Sequence, residues 1–276
     1  MKSEAENSAA FSRLPAGIRI RGENMRPKLG QHFLADESVL AFEAESAGVA
    51  GKSVLEIGAG DGRLTSKLLS AGAGHITAVE IDPKLAKALR IKFQRQQRVK
   101  VLEQDFLEFE AGRPFNCIVG NIPYYITSPA LLKLSGMDFG KAVICIQKEV
   151  AERLVAKQGT RNYGRLSVFA QLCFRTELLA LVGRGAFVPA PRVDSCIISL
   201  QKTGFSLGSK AERAIGALFS HKKKSLRNAV VDARAGLFGS TDKASAYRVA
   251  QTLKYAGRKV FSLSPQEILE TANQLV

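Results

Sequence analysis

Five short apolar runs recur between residues 53 and 146, with helix-patterned or polar segments between them. They are Ser53-Val54-Leu55-Glu56-Ile57, His75-Ile76-Thr77-Ala78-Val79-Glu80, Val99-Lys100-Val101-Leu102, Phe115-Asn116-Cys117-Ile118-Val119 and Lys141-Ala142-Val143-Ile144-Cys145-Ile146. Each has strand length and predicts a β-strand. A helical stretch follows the first at about Arg63 to Ser70, and Pro83 opens another helix at its first turn. Strands alternating with helices imply right-handed βαβ units and a mostly parallel sheet covered on both faces. Two more β-rich runs lie at Glu177 to Val182 and Ser195 to Leu200. After Gln201 the strands stop. Lys210 to Phe219, Lys223 to Arg234, Ala244 to Tyr255 and Pro265 to Leu275 read as helices of a second, all-helical domain. Residues 1–25 mix small and charged residues without a period and are expected to be a mobile tail.

The 276 residues are 46% hydrophobic and 24% charged, which supplies a sizeable core and excludes global disorder. No run approaches the roughly 18 apolar residues of a membrane span. The first 25 residues lack the apolar stretch of a secretory signal and contain Glu4, Glu6 and Glu23, against the acid-poor character of a transit peptide. Cys117, Cys145, Cys173 and Cys196 are widely spaced and flanked by apolar residues, so they read as reduced core thiols rather than zinc ligands or a disulfide framework. A cytoplasmic protein with no membrane association and no metal site is expected. Charge adds a positive clue. The formal net charge is +15, and residues 201–276 carry 13 basic and 5 acidic side chains. Solubility alone rarely needs such an excess, so a polyanionic partner is expected.

Glu56-Ile57-Gly58-Ala59-Gly60-Asp61-Gly62 sits between the first strand and the first helix. Glycines there let a ligand approach the backbone, and the helix start offers N–H groups. The spacing differs from the Gly-x-Gly-x-x-Gly of dinucleotide folds. Glu80 ends the second strand, where a carboxylate can accept both ribose hydroxyls of a nucleoside. Asp105 follows the third, where a carboxylate can receive an adenine amino group. Either acid alone is more readily a solvated loop charge or a helix cap. Together with the glycine loop they fit one nucleoside lying across the switch point of the sheet, and S-adenosylmethionine fits better than NAD.

Gly120-Asn121-Ile122-Pro123-Tyr124 follows the fourth strand. An exocyclic adenine amine is a poor nucleophile because its lone pair is delocalised into the ring. It needs two acceptors that draw the nitrogen toward tetrahedral geometry, and it loses its proton once methylation creates the cation. The Asn121 side-chain carbonyl and the backbone carbonyl of Ile122 or Pro123 can serve. Pro123 stiffens the turn. Tyr124 offers a face for an extruded base, and its ring rather than its hydroxyl is the expected working part. The structural alternative is a turn with an Asn cap and a core tyrosine.

With these residues in place, the chain resembles the small-subunit ribosomal RNA adenine dimethyltransferases, the KsgA family, from about Arg26 to Leu200 and more weakly to the end. Leu29-Gly30-Gln31-His32-Phe33-Leu34 is similar to the family's N-terminal cofactor motif. Residues 147–154, 163–167 and 187–195 also match. The resemblance implies a Rossmann-like class I S-adenosylmethionine-dependent methyltransferase, an α/β fold, over 26–203, and a small basic helical RNA-binding domain over 204–276. It implies that His32, Leu34, Gly58, Gly60, Glu80, Asp105 and Asn121 contact the cofactor. It further implies that Asn121 and Pro123 serve the chemistry, while Tyr124 and Phe187 sandwich the target base. His32 stands where many members have Asn; either side chain can bond the methionine carboxylate. Tyr125 stands where bacterial members often carry Asn.

Lys222, Lys223, Lys224 and Arg227 form a basic run expected to open a helix and contact phosphates without reading sequence. Its alternative is a solvated helix face. Arg161, Arg165, Arg184 and Arg192 are further phosphate candidates. The resemblance implies a monomer acting on two adjacent adenines near the 3′ end of small-subunit rRNA, with the pre-ribosomal small-subunit particle as partner. Competing readings are an Erm-type methyltransferase of large-subunit rRNA, a non-catalytic assembly or transcription factor on the same fold, and a DNA adenine methyltransferase. The intact Glu80 and Asn121-Ile122-Pro123-Tyr124 argue against a pure binder.

Overall fold

The computed structural model describes residues 32–239 and 242–276. The expected tail, residues 26–28 and residues 29–31 of the N-terminal motif lie outside the described residues. The strands are β1 Phe33–Leu34, β2 Ser53–Ile57, β3 His75–Glu80, β4 Val99–Glu103, β5 Phe115–Asn121, β6 Phe139–Gln147, β7 Phe174–Val182, β8 Phe187–Val188 and β9 Ser195–Lys202. Seven form one sheet in the order β4-β3-β2-β5-β6-β9-β7. β4, β3, β2, β5 and β6 pair in parallel, and β9 runs antiparallel to β6. The mostly parallel α/β sheet is thus as expected.

Burial explains the continuous apolar runs. Val54, Ile76, Val119 and Val143 on one face of the sheet share a core with Leu40, Leu64, Leu68 and Leu89 from helices. Leu55, Ile57, Ile118 and Ile144, which point the other way, are equally buried. Chain order reverses at β2, which pairs with β3 on one side and β5 on the other. Ligands bind outside the strand C-termini at such a switch point.

The helices flanking the sheet are α1 Glu37–Ala47, α2 Arg63–Ser70, α3 Pro83–Lys92 and α4 Thr127–Gly136; α5 Lys148–Leu154 follows β6, and α6 Arg165–Cys173 precedes β7. Asp36 caps α1 by accepting the Ser38 and Val39 N–H groups, and Gly48 ends it in a left-handed conformation. Asp82 caps α3 ahead of Pro83. β5 runs two residues beyond the expected Val119. Asn121 is polar, but it stays in register with Cys145, and the Ile122 N–H donates to Cys145 O. The ladder, not hydrophobicity, sets where that strand ends.

Two compact units emerge: residues up to Ala151 with Thr176–Lys202, and Glu152–Arg175 with Thr203–Val276. The second is therefore not cut from the chain at a single point near 203; it also takes 152–175. Within it, buried Tyr163 donates its hydroxyl to Leu263 O at 2.8 Å, and the Gln171 amide donates to Leu154 O and Ala156 O. Its remaining helices are α7 Ser209–Phe219, α8 Leu226–Asp232, α9 Arg234–Phe238, α10 Lys243–Thr252 and α11 Pro265–Gln274. The single helix expected over 223–234 is corrected to two. Lys222 O and Lys224 O accept the N–H groups of Phe261 and Val260, so this basic stretch lies in turns. α8 begins only after Ser225, whose hydroxyl accepts the Asn228 N–H.

Candidate functional site

A cleft opens at the β2–β5 switch point. Its space, including the mouth, is about 1230 Å³. His32, Leu34, Gly58, Gly60, Glu80, Asp105, Asn121, Pro123, Tyr124 and Phe187 all line it. Every residue expected to touch cofactor or base is thus brought to one place, from motifs that span more than half the chain.

The glycine loop forms one wall. Gly58, Gly60 and Gly62 have φ of +68°, +57° and +75°, the left-handed region that favours glycine. At Gly60 a Cβ would stand 3.1 Å from the Phe33 ring. The Glu80 carboxylate, buried at the end of β3, accepts the N–H of Gly60 at 2.8 Å and of Asp82 at 2.9 Å. Asp105 accepts the Leu107 N–H at 2.8 Å and caps a one-turn 3-10 helix, Phe106–Glu108. Asp105 is therefore a helix cap that also lines the cleft.

A two-stranded ribbon adjoins the loop and lines the cleft with it. β1 pairs antiparallel with β8, placing Phe33 opposite Val188 and Leu34 opposite Phe187. The N-terminal motif and the Phe187 motif, some 150 residues apart, are thereby one structural piece. His32 Nδ1 lies 2.8 Å from Pro189 O, the contact of a ring N–H donor, and this leaves Nε2 for a ligand.

Asn121 stands at the end of β5. It lines the cleft, and its side-chain oxygen is buried with no hydrogen-bond partner among the described residues. Buried acceptors are rarely left in that state, and an ordered water or a ligand donor completes them. Pro123 O already accepts the Ile126 N–H at 3.0 Å, so the Ile122 carbonyl is the better second acceptor. Tyr124 is partly buried, and burial pushes its phenol above the ordinary value while the Ser195 hydroxyl opposes the rise. The ring is neutral at physiological pH. Tyr125, beside it, is exposed at the mouth.

Two buried acids lie under this site. Glu56 lines the cleft and accepts the Thr65 hydroxyl at 2.6 Å; its other oxygen has no hydrogen-bond partner among the described residues. Glu43, on α1, is wholly buried; neither oxygen makes a hydrogen bond of good geometry among the described residues, although the Gly120 backbone N–H favours its charged form. Glu56 heads the glycine-loop motif without a role of its own assigned from the sequence, and the sequence does not single out Glu43.

The basic run lies in the helical unit. The Lys222 ammonium donates to the carbonyls of Arg161 and Tyr163 at 2.9 and 2.8 Å. Lys224 pairs with Asp232. Arg227 lies 5.7 Å from the Tyr247 ring, and its Nε is buried. Lys223 is exposed. Of the four expected phosphate ligands, then, three are already engaged within the unit.

The chain matches the family described as "Ribosomal RNA adenine dimethylase" over residues 22–254. It is 36% identical over 271 residues to the "Probable ribosomal RNA small subunit methyltransferase A" of Methanopyrus kandleri, covering 95% of both chains. The protein of the same name from Thermococcus onnurineus is 38% identical over 261 residues, covering 94% of this chain and 95% of that one. Among solved structures, a dimethyladenosine transferase from Plasmodium falciparum superposes with a TM-score of 0.74 at 26% identity, covering 88% of this chain and 98% of that one. The 23S rRNA methyltransferase ErmE gives 0.61 at 29% identity, covering 88% and 99%.

Proposed function

The chain belongs to the ribosomal RNA adenine dimethylase family and is a methyltransferase of ribosomal RNA; from that premise we propose that it converts two adjacent adenines near the 3′ end of small-subunit rRNA to N6,N6-dimethyladenosine, with S-adenosylmethionine as donor. The curated relatives carry the small-subunit name, which favours that substrate over the large-subunit alternative. The observation that supports the chemistry is Asn121, which lines the cleft and whose buried side-chain oxygen has no partner among the described residues.

S-adenosylmethionine supplies an electrophilic methyl group on a sulfonium centre. The residues present fit it: a left-handed glycine loop gives close backbone approach, and Glu80 and Asp105 stand at consecutive strand ends. Glu80 takes the ribose hydroxyls, and Asp105 the adenine amine. The free His32 ring nitrogen takes the methionine carboxylate. Asn121 Oδ1 and the Ile122 carbonyl accept the two N6 hydrogens of the target base, aiming its lone pair at the methyl group. Tyr124 and Phe187 hold the flipped ring between them. The basic helical unit holds RNA phosphates, on free RNA or within the pre-ribosomal small-subunit particle. The test is mass spectrometry of rRNA from cells with and without the gene. Loss of dimethyladenosine from the small subunit is expected. Loss of a large-subunit methyladenine instead, or of none, overturns the reading.

A further inference from the structure

The Tyr124 hydroxyl and the Ser195 Oγ lie 2.7 Å apart, and Ser195 is completely buried. The one-turn helix holding Tyr124, Tyr124–Ile126, buries none of its own residues. Packing around that turn is therefore thin, and the hydroxyl is the anchored end of the ring.

The neighbouring residue ties down the other aromatic face. Asp194 Oδ1 accepts the Arg184 N–H at 3.0 Å. Arg184 opens the short 3-10 turn Arg184–Ala186 that leads directly into Phe187. The Asp194 carbonyl also accepts the Lys148 N–H, and Ser195 sits opposite Gln147 in the β6–β9 ladder. One dipeptide, itself clamped to the central sheet, thus holds an atom of the Tyr124 side chain and the backbone that carries Phe187.

We propose that Asp194 and Ser195 are positioning residues that set the spacing and tilt of the Tyr124 and Phe187 faces around the target base. This rests on the adenine-methylation reading. A base gripped between aromatic faces must present N6 to Asn121 within a few tenths of an ångström. The demand is greater at the second methyl transfer, when N6 already carries a methyl group. The bond also revises the expectation that only the ring of Tyr124 matters. If it merely satisfied a buried polar pair, its loss would lower stability and leave the reaction unchanged.

The test is a double-mutant cycle on the full chain with Tyr124→Phe, Ser195→Ala and both. Single-turnover methyl transfer is measured at saturating rRNA, alongside rRNA KM, S-adenosylmethionine affinity and thermal midpoint. Each single change is expected to slow transfer roughly tenfold with little change in KM or cofactor affinity, and the double is expected to be no slower than either single. Monomethyladenosine should accumulate in all three. Tyr124→Phe reaches the bond from the cleft side, so a Ser195→Ala protein that fails to fold does not end the test: a normal rate and normal product ratio in Tyr124→Phe alone overturn the proposal. So do losses that multiply in the double variant, or a fall in thermal midpoint with transfer unaltered. A wild-type protein that methylates no rRNA adenine overturns the functional reading and this proposal with it; an active wild type with independent losses overturns this proposal alone.

Discussion

Glu80 holds Gly60 in place: its Oε2 accepts the Gly60 backbone N–H at 2.8 Å, while its Oε1 accepts that of Asp82 at 2.9 Å. The carboxylate that is proposed to bind the ribose also pins the glycine loop. Ligand affinity and loop geometry therefore depend on one side chain.

Glu80→Ala is expected to weaken S-adenosylmethionine binding by on the order of 10- to 100-fold, since charge-assisted hydrogen bonds contribute roughly 1.5 to 3 kcal/mol each. Glu80→Gln should fall between, because its amide nitrogen cannot accept from a backbone N–H. Calorimetry on the folded variants measures both. Unchanged affinity in Glu80→Ala removes the residue from the cofactor site.

Much of the sheet is legible in the sequence because a parallel sheet covered on both faces demands unbroken apolar runs such as Val54–Ile57. The cleft is legible because Glu80, Asp105 and Asn121 are polar residues at or just past the ends of such runs. The β1–β8 ribbon is not, since two-residue strands carry no periodicity. Helix α1 has readable caps in Asp36 and Gly48, but buried Glu43 breaks its apolar stripe. The basic run reports charge and says nothing of partners: Lys222 is committed to carbonyls 59 and 61 positions away.

Gly120 marks a close approach between strands. A Cβ there would stand 2.4 Å from the Ile57 backbone oxygen. Neither backbone can yield without breaking the β2–β5 ladder beneath Asn121. Gly120→Ala should cost at least about 2 kcal/mol, whereas Gly112→Ala, where a Cβ meets nothing within 4 Å, should stay within about 0.5 kcal/mol. Denaturant midpoints compare the two, and equal midpoints refute the clash.

The basic run divides by role. Lys223→Ala should leave the thermal midpoint unchanged and flatten the salt dependence of RNA binding by about one slope unit. Lys222→Ala removes two bonds to carbonyls and should instead lower stability by about 1 to 3 kcal/mol, with any loss of RNA affinity following from the disturbed 161–163 segment. Filter binding across salt concentrations, read beside thermal melts, separates the two. A Lys223→Ala protein with wild-type salt slope removes that residue from the RNA surface.

Glu43 gives the stability curve its pH signature. Burial pushes its carboxyl from the ordinary 4.5 up to about 8, the nearby Glu56 adds to the rise, and the Gly120 backbone N–H opposes it. Glu56 is likewise raised to about 8, by burial first, with the Thr65 hydroxyl opposing and Glu80 adding. Between about pH 4.5 and 8 the folded chain therefore holds protons at these sites that the unfolded chain has released. Their contribution to stability declines as pH rises through that window and levels off above it. Other carboxylates act oppositely in acid: Asp36 and Glu267 are held below their ordinary values by hydrogen bonds. The informative quantity is accordingly the difference between Glu43→Gln and wild type. Glutamine keeps the shape without a titrating proton, so the variant's advantage should grow from pH 5 to 8 and then flatten, reaching at most a few kcal/mol. Thermal melts across pH measure it. A difference that stays constant over that range means that Glu43 does not bind its proton more tightly in the fold, and the acid beneath Gly120 and Asn121 is then not held neutral by burial.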